Sequence, residues 1–99
     1  MKQTYFCIVY KLDADGYTDY GIYRNSYYLS RKDARKEMRE IFKDKRKELK
    51  SDYGLEDFDD SRKADRCAFS ADGRVYYEIE VVEIRGTYTT VHNFSKNIH

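Results

Sequence analysis

Cysteine is scarce in this chain. Cys7 and Cys67 are its only two thiols, too few and too far apart for a disulfide framework. In a reducing compartment such residues pack as small buried apolar side chains. Histidine is equally scarce: His92 and His99 have no Cys or His at zinc-ligand spacing, which argues against a zinc site. The five glycines are isolated and sit where turns or helix ends account for them, so there is no glycine-rich loop to cradle a phosphate. Long apolar runs are missing as well. The longest, residues 5–10, is closed by Lys11 and Asp13, far short of the ~20 residues that span a bilayer. No basic start, apolar stretch and small-residue cleavage site are found in sequence, because Leu12 runs into Asp13 and Asp15. The expectation is a cytoplasmic protein with no membrane partner.

Charge of one sign is not in excess. Nineteen Lys and Arg against 18 Asp and Glu leave a net charge of +1, so electrostatic recognition has to come from local segregation. Chemistry-bearing groupings are few. Nucleophilic catalysis needs Cys7, Cys67 or a serine held beside a base and an oxyanion hole, and no such grouping stands out, so no enzyme is expected. Asp13, Asp15 and Gly16 look like the start of a calcium loop, but Gly falls fourth rather than sixth and Arg24 fills the twelfth place, where a glutamate is required. Asp57, Asp59 and Asp60 read as solvated acids rather than metal ligands. Neither metal nor cofactor is expected.

The residues that are present describe a small α+β domain, one in which roughly 60 to 70% of the unfolded surface is buried and the core is thin. Residues 4–12 are β-branched and aromatic and end at Asp15-Gly16, a strand followed by a tight turn. Both of its faces are apolar, which marks a central strand or one covered on two sides. Residues 17–24 return as its hairpin partner, with Gly21 suggesting a bulge, and 27–29 have room for a short third strand. The first hairpin region is thus 4–29. Ser30 with Asp33 is a helix N-cap signal, and a helix is predicted over 31–50. Residues 51–65 read as a long acidic loop after a stop at Gly54. Residues 66–94 read as a second hairpin turned at Asp72-Gly73 with an extra edge strand at 86–94, and 95–99 as a tail. A phase slip from Val81 to Val82 suggests a bulge in the second strand. The order is ββαββ, an antiparallel sheet with one long helix laid on one face.

Two features bear on function. Along the helix, Ala34, Met38, Ile41, Phe42 and Leu49 form an apolar stripe. Lys32, Lys36, Arg39, Lys43, Arg46, Lys47 and Lys50 form a basic one, and Asp33, Glu37, Glu40, Asp44 and Glu48 an acidic one. The basic stripe, represented by Lys32, Lys36, Arg39, Lys43 and Lys47, could follow a nucleic-acid backbone. The bland reading is a solvated face whose cations pair with acids three or four positions away. The second feature is eleven tyrosines in 99 residues, more than a thin core holds. Tyr17, Tyr20, Tyr23, Tyr27 and Tyr28 could form a protein-binding patch, since tyrosine offers rigid contact area with a polar tip.

Leu29-Ser30-Arg31-Lys32-Asp33-Ala34 gives residues 6–48 a local resemblance to the arm-binding domain of tyrosine recombinases, in which a hairpin precedes a similar helix start. That resemblance implies DNA reading by basic residues on the sheet. This hairpin carries only Lys11 and Arg24, so the stretch is read as a capping pattern rather than as a family match. The functional expectation is therefore a non-enzymatic adaptor or inhibitor module that binds a protein through its tyrosines. Nucleic-acid backbone binding by the helix is the alternative, and a homodimer paired through an edge strand is a further expectation.

Overall fold

The computed structural model describes residues 3–23 and 27–86. Within them lie β1 (Gln3–Ala14), β2 (Tyr17–Ile22), α1 (Arg31–Tyr53), β3 (Phe58–Arg62), β4 (Arg66–Ala71) and β5 (Val75–Gly86). The strands form one antiparallel sheet in the order β2-β1-β5-β4-β3, with α1 packed on one face. The fold is α+β, as the sequence pattern implies, and the described residues carry five strands, one of them at 58–62 where the sequence reads as loop. Residues 87–99, where an edge strand and tail are expected, fall outside the described residues.

Both hairpin turns use backbone that few residues other than glycine adopt easily. Asp15 and Gly16 take φ values of 49° and 84°, the two positive angles a two-residue turn needs to match strand twist. Asp72 and Gly73 take 55° and 67°. The two turns meet at one end of the sheet, where the Asp15 N–H donates to the Arg74 carbonyl.

The central pair is β1 with β5, in unbroken register from Gln3 opposite Gly86 to Ala14 opposite Val75. No bulge interrupts it. The apolar phase change at Val82 arises because Val82 and Ile84 occupy the sheet face away from α1, opposite Cys7 and Tyr5. Gly21 marks no bulge either; β1 and β2 pair continuously, and Gly21 stands opposite Tyr10. Tyr27, Tyr28 and Leu29 contribute a single bridge, with Tyr28 and Phe6 exchanging backbone hydrogen bonds of 2.8 and 2.9 Å.

The helix begins as its sequence dictates. Ser30 has extended backbone, and its hydroxyl accepts the Asp33 N–H at 3.3 Å. The helix ends three residues later than expected, at Tyr53, because Gly54 in the left-handed conformation is its stop and sends its N–H back to the Lys50 carbonyl. The acidic stretch 51–65 is thus not a loop. It completes α1 and then supplies β3, which pairs along β4 from Phe58 opposite Ala71 to Arg62 opposite Cys67.

Ala34, Met38, Ile41, Phe42 and Leu49 are buried, matching the apolar stripe residue for residue. Beneath them an aromatic row runs across β3, β4, β5 and β1 to Tyr23, just past the end of β2. Phe58 meets Phe69 at 5.3 Å, Phe69 meets Tyr77 at 5.8 Å, Tyr77 meets Tyr10 at 6.5 Å, and Tyr10 meets Tyr23 at 6.4 Å between ring centroids. Phe42 reaches down from α1 to both Phe69 and Tyr77. Part of the tyrosine excess is therefore core.

Candidate functional site

The basic stripe of α1 stays on the surface. Lys32, Lys36, Arg39, Lys43 and Lys47 are all exposed, spaced about one helical turn, or ~5 Å, apart over roughly 22 Å of helix. The pairs that would quench them, Asp33 with Lys36, Lys36 with Glu40, Glu40 with Lys43 and Asp44 with Lys47, are not formed. Among the described residues the intrahelical ion pair is Lys45 with Glu48 at 3.3 Å, and none of the five row cations takes part in an ion pair.

The arginines on the flank of α1 nearest β3 and β4 behave differently. Arg31 and Arg35 both reach Asp65, in the turn between β3 and β4, at 2.9 and 2.5 Å, and Arg31 also meets Glu83 at 3.1 Å. The Arg35 hydrogen bond holds the Asp65 carboxyl below the usual aspartate value, opposed by desolvation and aided by the charges of Arg35 and Arg31. Arg46 bonds Asp60 at 3.2 Å while its guanidinium lies 4.1 Å from the centre of the Phe58 ring. These contacts tie the β3–β4 hairpin to the helix and cover the edge of the aromatic core.

Between those two anchor points a cleft of about 280 Å³ opens, lined by Arg39, Phe42, Arg62, Lys63, Ala64 and Cys67. Arg39 comes from the basic row. Arg62 ends β3 and lies 5.0 Å from the centre of the Phe42 ring. Lys63 follows it, its backbone N–H fixed to the Arg66 carbonyl at 2.9 Å. Three cations line this cleft and no carboxylate does. Asp60 approaches Arg62 at 3.6 Å but is shared with Arg46. Cys67, nearly fully buried, forms part of the lining; burial raises its thiol's pKa, against the pull of Arg62, the Lys63 backbone and Arg39. The row is legible from spacing along the helix; Arg62 and Lys63 are not, because their stretch has the composition of a loop and nothing local places them beside Arg39.

The tyrosines are divided. Tyr17, 64% exposed, stands opposite Ala14 on the helix side of the sheet, whereas Tyr20, 62% exposed, stands opposite Lys11 on the other side. Tyr23 and Tyr28 pack partly buried against the core under α1. Tyr27 meets Tyr5 edge-on at 6.5 Å, and Tyr5 belongs to the face turned from the helix. The five do not make one continuous patch.

The two cysteines are free and buried, on opposite faces of the sheet: Cys67 among the helix-side core, Cys7 opposite Val82. Burial pushes the Cys7 thiol up to about 11. Among the described residues no three His, Cys, Asp or Glu side chains gather as metal ligands, and no helix is long and apolar enough to cross a membrane. Comparison with protein-family models, curated proteins and solved structures finds no match to this chain.

Proposed function

We propose that this protein binds the sugar-phosphate backbone of a nucleic acid along the basic side of α1. The observation that carries the reading is the row Lys32, Lys36, Arg39, Lys43 and Lys47, exposed and without carboxylate partners among the described residues. Cations repeated at each turn neutralise successive phosphates and release their condensed counterions. The acidic row, including Asp33, Glu40, Asp44 and Glu48, runs beside it along the same helix. A helix so marked cannot lie in a groove between two phosphate walls without setting carboxylates against one of them. A single backbone following the basic side meets no such repulsion, so single strands are the favoured ligand.

Recognition of a protein through the tyrosines ranks second. Tyr17 and Tyr20 offer exposed rings, but on opposite faces, and interface hot spots work as clusters.

The test is fluorescence anisotropy of a labelled mixed-sequence single-stranded oligonucleotide across a salt series. Five backbone contacts predict a slope of log affinity against log salt of up to about −3.5 for a single strand, and the double variant Lys36→Gln, Lys43→Gln should flatten it by about 1.4. Equal affinity of variant and wild type at every salt concentration would reject the row.

A further inference from the structure

The cleft beside the row differs from the row in kind. Along α1 the cations are strung out one per turn, an arrangement suited to the single charge of each internal phosphodiester. In the cleft Arg39, Arg62 and Lys63 converge on one volume of about 280 Å³. Arg62 is the most constrained of the three: the Phe42 ring lies beneath its guanidinium at 5.0 Å, and Asp60 approaches it at 3.6 Å. Asp60 is itself shared with Arg46, so its one negative charge is spread over two arginines and the cleft keeps a surplus of positive charge. The other nearby acid, Asp65, is committed to Arg31 and Arg35. The backbone around Lys63 is fixed at both ends, by the Lys63 N–H on the Arg66 carbonyl and by the Asp65 carbonyl on the Val81 N–H at 2.7 Å. Two arginines and a lysine lining one cleft, with Arg62 set over the Phe42 ring, match a group with several acceptor oxygens and about two negative charges.

We propose that this cleft binds a terminal phosphate group, the phosphomonoester at the end of a nucleic-acid strand whose backbone then follows the row on α1. The inference rests on the backbone-binding reading for the rest of the ligand, but the cleft can be tested by itself. A phosphomonoester carries close to two charges at neutral pH, an internal phosphodiester one, and three convergent cations discriminate in favour of the former. Arg39 belongs to both row and cleft, so a strand anchored by its terminal phosphate enters the row at its middle and follows either Lys36 and Lys32 or Lys43 and Lys47, whereas a strand with hydroxyl ends can span all five cations.

The experiment is an NMR titration with a dinucleotide too short to follow the row, supplied with and without a 5′-phosphate; both forms contain one internal phosphodiester. The expected result is that the phosphorylated form moves the amides of Arg39, Arg62, Lys63 and Ala64 and binds at least fivefold more tightly than the unphosphorylated form. The same comparison with a 3′-phosphate identifies which end is read. The preference should disappear in Arg62→Gln with Lys63→Gln, and equally in Arg39→Gln, which alters only the exposed side of α1 and leaves the hairpin untouched. Equal binding of the phosphorylated and unphosphorylated dinucleotides, or shifts confined to residues 32, 36, 43 and 47, would overturn the proposal. A long oligonucleotide with hydroxyl ends is titrated alongside: if it fails to bind, the row is rejected while the dinucleotide result still decides the cleft.

Discussion

At the scale of single residues, the ends of α1 are set by two side chains of opposite character. The Ser30 hydroxyl fills one of the N–H groups that the first turn leaves without a partner. Gly54 accepts a φ of 60° that a side chain would strain. Ser30→Ala should cost about 1 kcal/mol, read as a lowered urea midpoint, while Ser30→Asp should retain the cap and suit the helix dipole. An unchanged midpoint in the alanine variant would show that the cap contributes nothing. Phe42 illustrates the opposite case, a residue whose role is set by its neighbours. It is fully buried, yet its ring meets both the aromatic row below and Arg62 at the side. One residue thereby links the core to the cleft.

At the scale of elements, the helix is anchored to the β3–β4 hairpin by the Asp65 latch. Because the folded state binds the Asp65 proton less readily than the unfolded chain does, the latch stabilises the fold above the ordinary aspartate range near ~3.9 and fades as pH falls through the lower folded value. Asp65→Asn should therefore lower the urea midpoint at pH 7, and the gap between variant and wild type should narrow below about pH 4. The effect is modest, since the carboxylate is 40% exposed and solvent screens it. A gap independent of pH would mean that Asp65 acts through packing. The helix itself was legible in the sequence because its signals are local: a cap, a stop and a 3.6-residue period set all three stripes. Strand β3 was not. Phe-Asp-Asp-Ser-Arg has a single apolar residue, and it becomes a strand because β4 offers an unpaired edge to pair with. Its charged residues also blunt the edge it then presents. With β3 hidden, Arg62 and Lys63 could not be placed beside Arg39, and the cleft was out of reach. The phase change at Val82 misled for a related reason. It records a second apolar patch across the sheet, where Tyr5, Cys7 and Val9 also lie, and period-2 reasoning does not distinguish a bulge from a two-faced strand.

At the scale of the whole molecule, the sheet is organised around its most distant pairing in sequence. β1 and β5 lie at its centre, share twelve residue pairs and carry much of the buried apolar surface, including Ile8, Ile79 and Val81. β2 and β3 sit at the edges. Amides of Cys7, Val9, Glu80 and Val82, which alternate toward the β1–β5 seam, should exchange with solvent only through global unfolding, while those of Asp59 to Ser61 exchange through local opening at the edge. Native-state hydrogen exchange over a denaturant series measures this directly, and equal opening energies for β3 and the β1–β5 pair would contradict it. The tyrosine count belongs to this scale too. Tyr10, Tyr23 and Tyr77 serve the aromatic row, so what looks in sequence like one surplus of contact residues is split among core, edge and both faces.

The central place of β5 also bears on how the protein is made. A ribosome delivers β1 first, and about sixty further positions must be translated before the partner of Ala14 emerges, roughly 3 to 12 s at ordinary elongation rates. Throughout that interval β1 is a nascent strand with β2 on one side and a vacant edge on the other, and the apolar stripe of α1 has no complete sheet to cover. Any holding chaperone that recognises this chain has its window there, and slowing translation between the codons for Tyr53 and Val75 should lengthen the chaperone-bound phase and leave the mature fold unchanged.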